Sequence, residues 1–261
     1  MLYYSRFLIP CSQLSRVNKT IGKQMTNFEL LILFTLIDFS ILFLSFKLFG
    51  KKGIYIFIVI SVIAANIQVN KGVAYDIAGF HIIATLGNVM FGGIFTANDL
   101  LNEKYGRQEA RKAVLKSIFF GISFMIFMFI STLFTSLNDP FYNDANKALN
   151  LFFSIDGGAL KAVIIGNIVY LISQLFDVLI YSKIKSYSSD IKWLWLRNTG
   201  STLISQILDT TLITYGFGFA GVLPLDYAFE IIISTLVIKY TVALINAPLF
   251  YILAFTKPRE V

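Results

Sequence analysis

The sequence predicts an all-α, polytopic integral membrane bundle of about seven transmembrane helices, a six-helix core with one helix added at the N-terminus. Three observations carry this: overall apolarity, the spacing of the charges, and the side on which the basic residues collect. The chain has 261 residues, 56% hydrophobic content, 14% charged residues and a mean hydropathy of +0.72. A soluble domain of this size is not so apolar, so the solvent of the chain is largely lipid. The 26 Phe and 13 Tyr suit lipid-facing packing and the membrane interface.

The charges are swept into short clusters that separate seven apolar runs of membrane-crossing length. These run from Phe28 to Phe49, Gly53 to Val69, Ile77 to Ala97, Val114 to Phe134, Leu160 to Tyr181, Asn198 to Phe219 and Phe229 to Phe255. Backbone groups cannot stay unpaired in lipid, and the runs far exceed the alternating segments of a barrel, so each is expected to be a helix. The net charge of +7 follows the same division and not the needs of a nucleic acid. If loops alternate sides, Lys47, Lys51, Lys52, Lys104, Arg107, Arg111, Lys112, Lys116, Lys183, Lys185, Lys192, Arg197, Lys257 and Arg259 share one face. The positive-inside rule makes that face cytoplasmic and puts the C-terminus inside a bacterial-type inner membrane. Trp193 and Trp195 read as an interfacial anchor on that side.

No linker divides the chain, so residues 28–261 are expected to be one transmembrane domain preceded by a tail, residues 1–27. The tail carries Arg6, Arg16, Lys19 and Lys23 on the wrong side of the charge rule, and a start at Met25 would remove all four; Met1 and Met25 stand as alternatives. The only cysteine, Cys11, also lies there, which leaves no disulfide framework and no Cys-based metal site. The longest loop, Thr135 to Ala159, is expected outside. A short internal echo, Ile172-Ser173-Gln174-Leu175-Phe176-Asp177 and Ile204-Ser205-Gln206-Ile207-Leu208-Asp209, repeats one polar pattern in the fifth and sixth spans. It is either a repeated half-site or coincidence in an Ile/Leu/Ser-rich chain.

Ionisable groups in membrane helices are costly, so each is a functional candidate. Asp38, Asp177, Asp209 and Lys239 lie within spans, while Asp99 and Glu103 stand at the inner end of the third. Helical spacing puts Gln174 on one face with Asp177, Gln206 with Asp209, Asp99 with Glu103, and Asn98 with Asn102. Asp209 falls near the bilayer middle and Asp177 nearer the inner surface. Asp38 reads as ordinary interhelical glue on a peripheral helix, and Lys239 as a counter-ion to one of the acids. The acid-and-amide groups on three spans point to a polar cavity for a small solute. Carboxylates beside Gln and Asn suit a heterocycle presenting N–H donors next to a carbonyl, a guanine-like edge, although sugars, amino acids and protons would also fit. If such an edge binds here, Asp209→Asn is expected to weaken binding about tenfold to a hundredfold and to leave the bundle folded, whereas the same change at Asp38 should do little.

From Asn98-Asp99-Leu100-Leu101-Asn102-Glu103-Lys104-Tyr105-Gly106-Arg107 to Ala110-Arg111-Lys112, the chain resembles the T-D-x-x-x-E-x-Y-G-x-x-x-A-R-[KR] signature of the queuosine precursor transporter family, the YhhQ-like vitamin uptake proteins. Leu194-Trp195-Leu196-Arg197-Asn198, with Ser201-Thr202 and Ser205-Gln206-x-x-Asp209-Thr210, is similar to its other strong block. Gln174-x-x-Asp177, Pro248 and Tyr251 fit the helices on either side. Asn98 stands where the pattern has Thr, and the first span looks like an addition. The resemblance covers roughly Ala65 to Tyr251 and implies uptake of a 7-deazaguanine, such as the 7-cyano or 7-aminomethyl compound used to make a modified tRNA base. The site set it leaves is Asn98, Asp99, Asn102, Glu103, Gln174, Asp177, Arg197, Ser205, Gln206, Asp209 and Lys239.

Two other classes of protein compete with this reading. An intramembrane hydrolase needs a base, and the only histidine, His81, sits toward the outer end of the third span with no evident partner. No zinc site, cofactor or catalytic residue is expected. A substrate-binding subunit of an ATP-driven uptake system is the other alternative. No phosphate-binding loop occurs, so ATP use would need a partner, for which Ser61 and Ala64-Ala65 offer a small-residue docking surface. Expected partners are a purine-like solute and membrane lipid; a homo-oligomer and an energising module stay open, and the driving force is not legible.

Overall fold

The computed structural model describes residues 25–259 apart from 78, 138, 156–158 and 189. The tail with Cys11 and its four basic residues lies outside the described residues. The described part contains seven α-helices and one two-stranded hairpin. Helix α1 covers Asn27–Gln68, followed by strands β1 (Gly72–Ile77) and β2 (Phe80–Thr85). Then come α2 (Asn88–Tyr105), α3 (Arg107–Thr132), α4 (Pro140–Phe153), α5 (Ala159–Tyr187), α6 (Ser201–Phe219) and α7 (Ala228–Phe255). The four helical stretches Asn27–Gln68, Arg107–Thr132, Lys161–Tyr187 and Leu225–Phe255 are long and apolar enough to cross a membrane. The fold is an all-α polytopic membrane bundle.

Helix α1 holds the first two predicted runs. It starts on a capping box, in which Thr26 Oγ1 accepts from the Glu29 amide at 3.1 Å and Glu29 Oε2 accepts from the Thr26 amide at 2.7 Å. It breaks at Gly50, whose φ of 57° and ψ of −137° interrupt the helical ladder. The arms fold back on each other: Asn27, at the start of the first, donates to the Ala74 carbonyl at 2.7 Å, just beyond the end of the second. A single helical hairpin therefore holds the first two predicted runs, one on each arm.

The third run is where the expectation fails. Its first part, Ile77 to Thr85, is not helix but belongs to the β1–β2 hairpin, with Gly72 opposite Thr85 and Ile77 opposite Phe80. Gly79 takes a φ of 85° at the turn, and Val73, Tyr75, Ile77, Phe80 and Ile82 suit strands. A hydropathy window sees only apolarity, which strand and helix share. The corresponding helix, α2, starts eleven residues later than expected, at Asn88 instead of Ile77, and runs on to Tyr105, so Asp99 lies within it and not at its end. His81 sits on β2, in register with Asp76, and not in a membrane helix. The stretch expected to be the longest loop, Thr135 to Ala159, contains a helix, α4, capped by Asp139 Oδ1 on the Phe141 amide at 2.8 Å and with Pro140 at its first position.

Helix α2 is the axis of the bundle and packs against α1, α3, α5 and α7. Gly92 through Asn102 are all buried, which explains why a helix this polar sits here: protein, not lipid, surrounds it. Its glycines allow the approach. A β-carbon on Gly93 would fall 1.9 Å from Asp38 Oδ2, and one on Gly92 would fall 2.5 Å from Val242 Cγ1. Asp38 is thus buried against the central helix and not peripheral. We expect Gly93→Ala to destabilise the bundle by about 1–3 kcal/mol through overpacking, and Asp38→Ala in the same chain to restore most of the loss. Thermal unfolding of the purified variants in detergent checks this; an unchanged midpoint for Gly93→Ala would refute the close contact.

Apolar residues fill the space around α2, among them Leu42, Phe46, Ile54, Ile58, Leu100 and Phe250. Large apolar side chains such as Ile41, Phe119, Phe127, Ile168 and Leu244 point outward, as lipid-facing positions do. Of the small residues on the second arm of α1, Ser61 and Ala65 are buried within the chain and Ala64 is half-buried.

The turns expected to share a face do so. Lys51 pairs with Glu109 at 3.0 Å, the Arg259 amide donates to the Lys47 carbonyl at 2.9 Å, and Lys104 donates to the Ala254 carbonyl and, at 3.2 Å, to that of Thr256. These contacts tie the Gly50 turn, the Gly106 turn and the C-terminal segment together at one end of the bundle.

Candidate functional site

Facing surfaces of α2, α5 and α6 hold a continuous stripe of buried polar side chains, flanked by α7. Asn98, Asp99, Asn102, Gln174, Asp177, Arg197, Ser205, Gln206, Asp209 and Lys239 are all buried, and Glu103 is largely so. The structure therefore brings every predicted site residue into the interior, and divides them into three groups with different chemistry.

The group nearest the basic face is closed on itself. The Arg197 side chain, fully buried, donates from Nη2 to Glu103 Oε1 at 2.9 Å and from Nη1 to the Ser188 and Asp190 carbonyls at 2.5 and 2.9 Å. Tyr181 donates to Glu103 Oε2 at 2.7 Å, and Lys185 lies 3.4 Å from the same oxygen. Asn102 reaches the Val178 carbonyl at 3.1 Å and Ser182 Oγ at 3.0 Å. These contacts lock α2, α5 and the 188–197 segment together, and leave Glu103 and Asn102 with little capacity for a ligand.

The group beyond it is open in hydrogen-bonding terms. Asp99 Oδ2 accepts from Asn198 Nδ2 at 2.6 Å, with Thr202 Oγ1 at 3.5 Å, while Asp99 Oδ1 has no partner. The Asp177 carboxylate lies beside that of Asp99, with the Ser201 and Ser205 hydroxyls alongside, yet neither Asp177 oxygen meets a donor in hydrogen-bonding geometry. Asn98 Nδ2 donates to Gln174 Oε1 at 2.5 Å, which leaves Asn98 Oδ1 and Gln174 Nε2 unpaired. Gln206 pairs through neither its oxygen nor its nitrogen, and the Ser173 and Ser205 hydroxyls are unpaired too. Native interiors seldom leave buried polar atoms unpaired, so this group is the part of the stripe with hydrogen-bonding capacity to spare.

The third group is an ion pair. Lys239 Nζ on α7 donates to Asp209 Oδ2 at 2.6 Å and to Thr210 Oγ1 at 2.9 Å. Lys239 is the counter-ion that the sequence suggested, and its acid is Asp209. An Asp209 oxygen, expected to accept from a ligand, therefore accepts from a lysine.

Local backbone explains how α6 serves two of the groups. Leu196–Gly200 forms a π-helical turn, which sends Arg197 to Glu103 and its neighbour Asn198 to Asp99. Sequence reasoning passed over Tyr181, Asn198, Ser201 and Thr202 as site members. Asn198, Ser201 and Thr202 stand in the recognised block and at helical spacing from Ser205, a signal that was available. Tyr181 offered none, because a tyrosine near a membrane interface is ordinary.

A helical bundle with a buried, partly unsatisfied polar stripe at its core belongs to the class of multi-pass membrane carriers of small solutes. Comparison with known proteins agrees. The model of the family described as "putative vitamin uptake transporter" matches residues 85–253. A "probable queuosine precursor transporter" of Bacillus subtilis (strain 168) is 40% identical over 229 residues, which is 87% of this chain and 94% of that protein. The chain belongs to the vitamin uptake transporter family. A shared stretch of that length necessarily takes in Asp38, so the first helix is common to both proteins. No solved structure matches the chain.

Proposed function

We propose that this chain imports a queuosine precursor, a 7-deazaguanine, and holds it at Asn98, Asp99, Gln174, Asp177, Ser205 and Gln206. The relative's name supports the substrate, and the unpaired acceptors and amides of these six residues support the place. Asp177, with two free oxygens, suits the paired N–H donors of a guanine edge, and the amides of Gln174 and Gln206 can meet its carbonyl and ring nitrogens. Asn102, Glu103 and Arg197 then serve to position the helices, and Asp209 and Lys239 to neutralise each other.

The test is uptake by the purified protein in liposomes. Labelled 7-deazaguanine should accumulate and 7-deazaadenine should not compete, because it lacks the guanine carbonyl and the six-ring N–H beside it. Gln206→Leu should leave thermal stability equal or higher, since it removes two unpaired buried atoms, yet weaken substrate binding up to about tenfold. A variant that loses stability and keeps affinity would make Gln206 a packing residue.

In this reading the face that gathers the Gly50 turn, the Gly106 turn and the C-terminus is cytoplasmic in a bacterial inner membrane, and α4 lies outside. With Cys11 replaced by serine, a cysteine at Asp144 should react with an impermeant thiol reagent in intact cells, and one at Gln108 only after lysis. The reverse pattern would invert the orientation.

A further inference from the structure

Helix α4 carries three stripes of side chains with different surroundings. Tyr142, Asn146, Leu149 and Phe153 recur at helical spacing and face the bundle: Phe153 is buried, Asn146 and Leu149 are half-buried, and the Phe153 ring stands edge-on to Phe124 of α3 at 6.0 Å. Asn143, Lys147 and Asn150, one position further along, are polar and exposed. Phe141, Ala145, Ala148 and Phe152, one position back, are apolar; the first three are exposed, Phe141 at 82%. At 3.6 residues per turn the polar stripe and the free apolar stripe lie on opposite sides of the helix, with the bundle-facing stripe between them. A helix packed on a protein in water has no use for a second apolar stripe. One lying in a membrane surface does, because it has protein beside it, hydrocarbon beneath it and water above it.

The level of α4 in the bundle agrees. Helix α3 starts at the Gly106 turn on the basic face, so α4 follows at the opposite end. Phe124, which α4 touches, lies about two turns, or about 12 Å, before the end of α3 at Thr132. Beyond Phe124 the chain still carries exposed Phe127, Ile130, Leu133, Phe134 and Leu137. A run of large exposed apolar side chains belongs in hydrocarbon, which therefore reaches past the level at which α4 is anchored. The free stripe is also turned the right way. Phe152, its last member, lines a small cavity with Gly121, which precedes Phe124 on α3 and so lies nearer the basic face. Ile155, just after α4, borders an apolar cavity of about 590 Å³ between α3 and α5, which continues the lipid-facing surface below the helix.

We propose that α4 is an in-plane membrane helix: its Phe141–Phe152 stripe docks into the acyl boundary of the leaflet opposite the basic face, and the partner of this surface is membrane lipid. Asn143, Lys147 and Asn150 stay in the water above it. The contact of Phe153 with Phe124 then ties the far ends of α3 and α5 to the plane of that leaflet.

Spin labels on the two stripes test this in the full chain with Cys11→Ser, reconstituted into liposomes of phosphatidylethanolamine and phosphatidylglycerol. Phe141→Cys, Ala145→Cys and Ala148→Cys report the free apolar stripe, and Asn143→Cys, Lys147→Cys and Asn150→Cys the polar one; all six positions are exposed, so each takes a label without disturbing the packing. Collision with oxygen, which concentrates in hydrocarbon, and with a water-soluble nickel chelate is then measured at each site. The apolar stripe should collide several-fold more with oxygen than with the chelate, and the polar stripe should show the reverse, so the two profiles run out of phase with the helical period. Chelate access to both stripes alike would put α4 in water and overturn the proposal. Protection of the apolar stripe from both reagents would also overturn it, since protein, such as a second copy of the chain, would then cover that face.

Discussion

Replacing Lys239 with methionine should destabilise the bundle by about 3–5 kcal/mol, the cost of leaving a buried carboxylate without its cation. Lys239 is 3% exposed and Asp209 8%, so water cannot take over the role of the missing ammonium. Asp209→Asn alone should also be damaging, because it strands the ammonium beside Thr210. The double variant Asp209→Asn/Lys239→Met carries no charge at this level and should recover most of the stability, giving a strongly non-additive cycle. Thermal unfolding of the four proteins in detergent measures it. Ligand affinity in the folded double variant adds a second readout. Retained affinity is expected if the pair is structural, whereas a large loss would return Asp209 to the binding site that the sequence first suggested for it.

The second large effect is expected at Arg197, the largest fully buried side chain among the described residues. Arg197→Ala removes three hydrogen bonds, to Glu103, Ser188 and Asp190, and uncouples the 188–197 segment from α2. We expect a loss of about 3 kcal/mol, the lower end for a broken buried pair, because Tyr181 and Lys185 still hold Glu103. Arg197→Lys should recover little, since one ammonium cannot reproduce a planar fork reaching a carboxylate and two carbonyls at once. If Arg197→Lys matched wild type in thermal stability, the residue would be acting as a point charge and not as a brace.

Much of this was legible beforehand because membrane solvation acts on the chain residue by residue. Lipid demands long apolar helices, so Phe28–Phe49, Val114–Phe134 and Phe229–Phe255 announced themselves by length alone. The expense of charge in that solvent made Asp99, Asp177, Asp209 and Lys239 stand out without any structure, and all four are buried. The rule that collects Lys and Arg on one face likewise needs only loop order, and Lys51, Lys104 and Arg259 do meet at one end. The β1–β2 hairpin escaped notice for the complementary reason. Gly72–Thr85 is as apolar as a helix would be, and the choice between strand and helix was made by packing: Tyr75 and Ala84 are buried beside Leu31 of α1 and Val242 of α7.

What the sequence by itself determined is therefore the solvent of the chain, the approximate place of most of its long apolar helices, and which residue types would be forced into the interior. Only the tertiary structure decided who meets whom there. Asp177 and Asp209 occupy equivalent positions in the same short pattern, yet one faces Lys239 and the other faces Asp99. The difference lies in which neighbouring helix each face is turned against, with α7 beside one and α2 beside the other. Helical periodicity fixes the residues that share a face but not the rotation of that face about its axis. Rotation is set by the packing of the whole bundle around Gly92 and Gly93, where α1 and α7 close on α2.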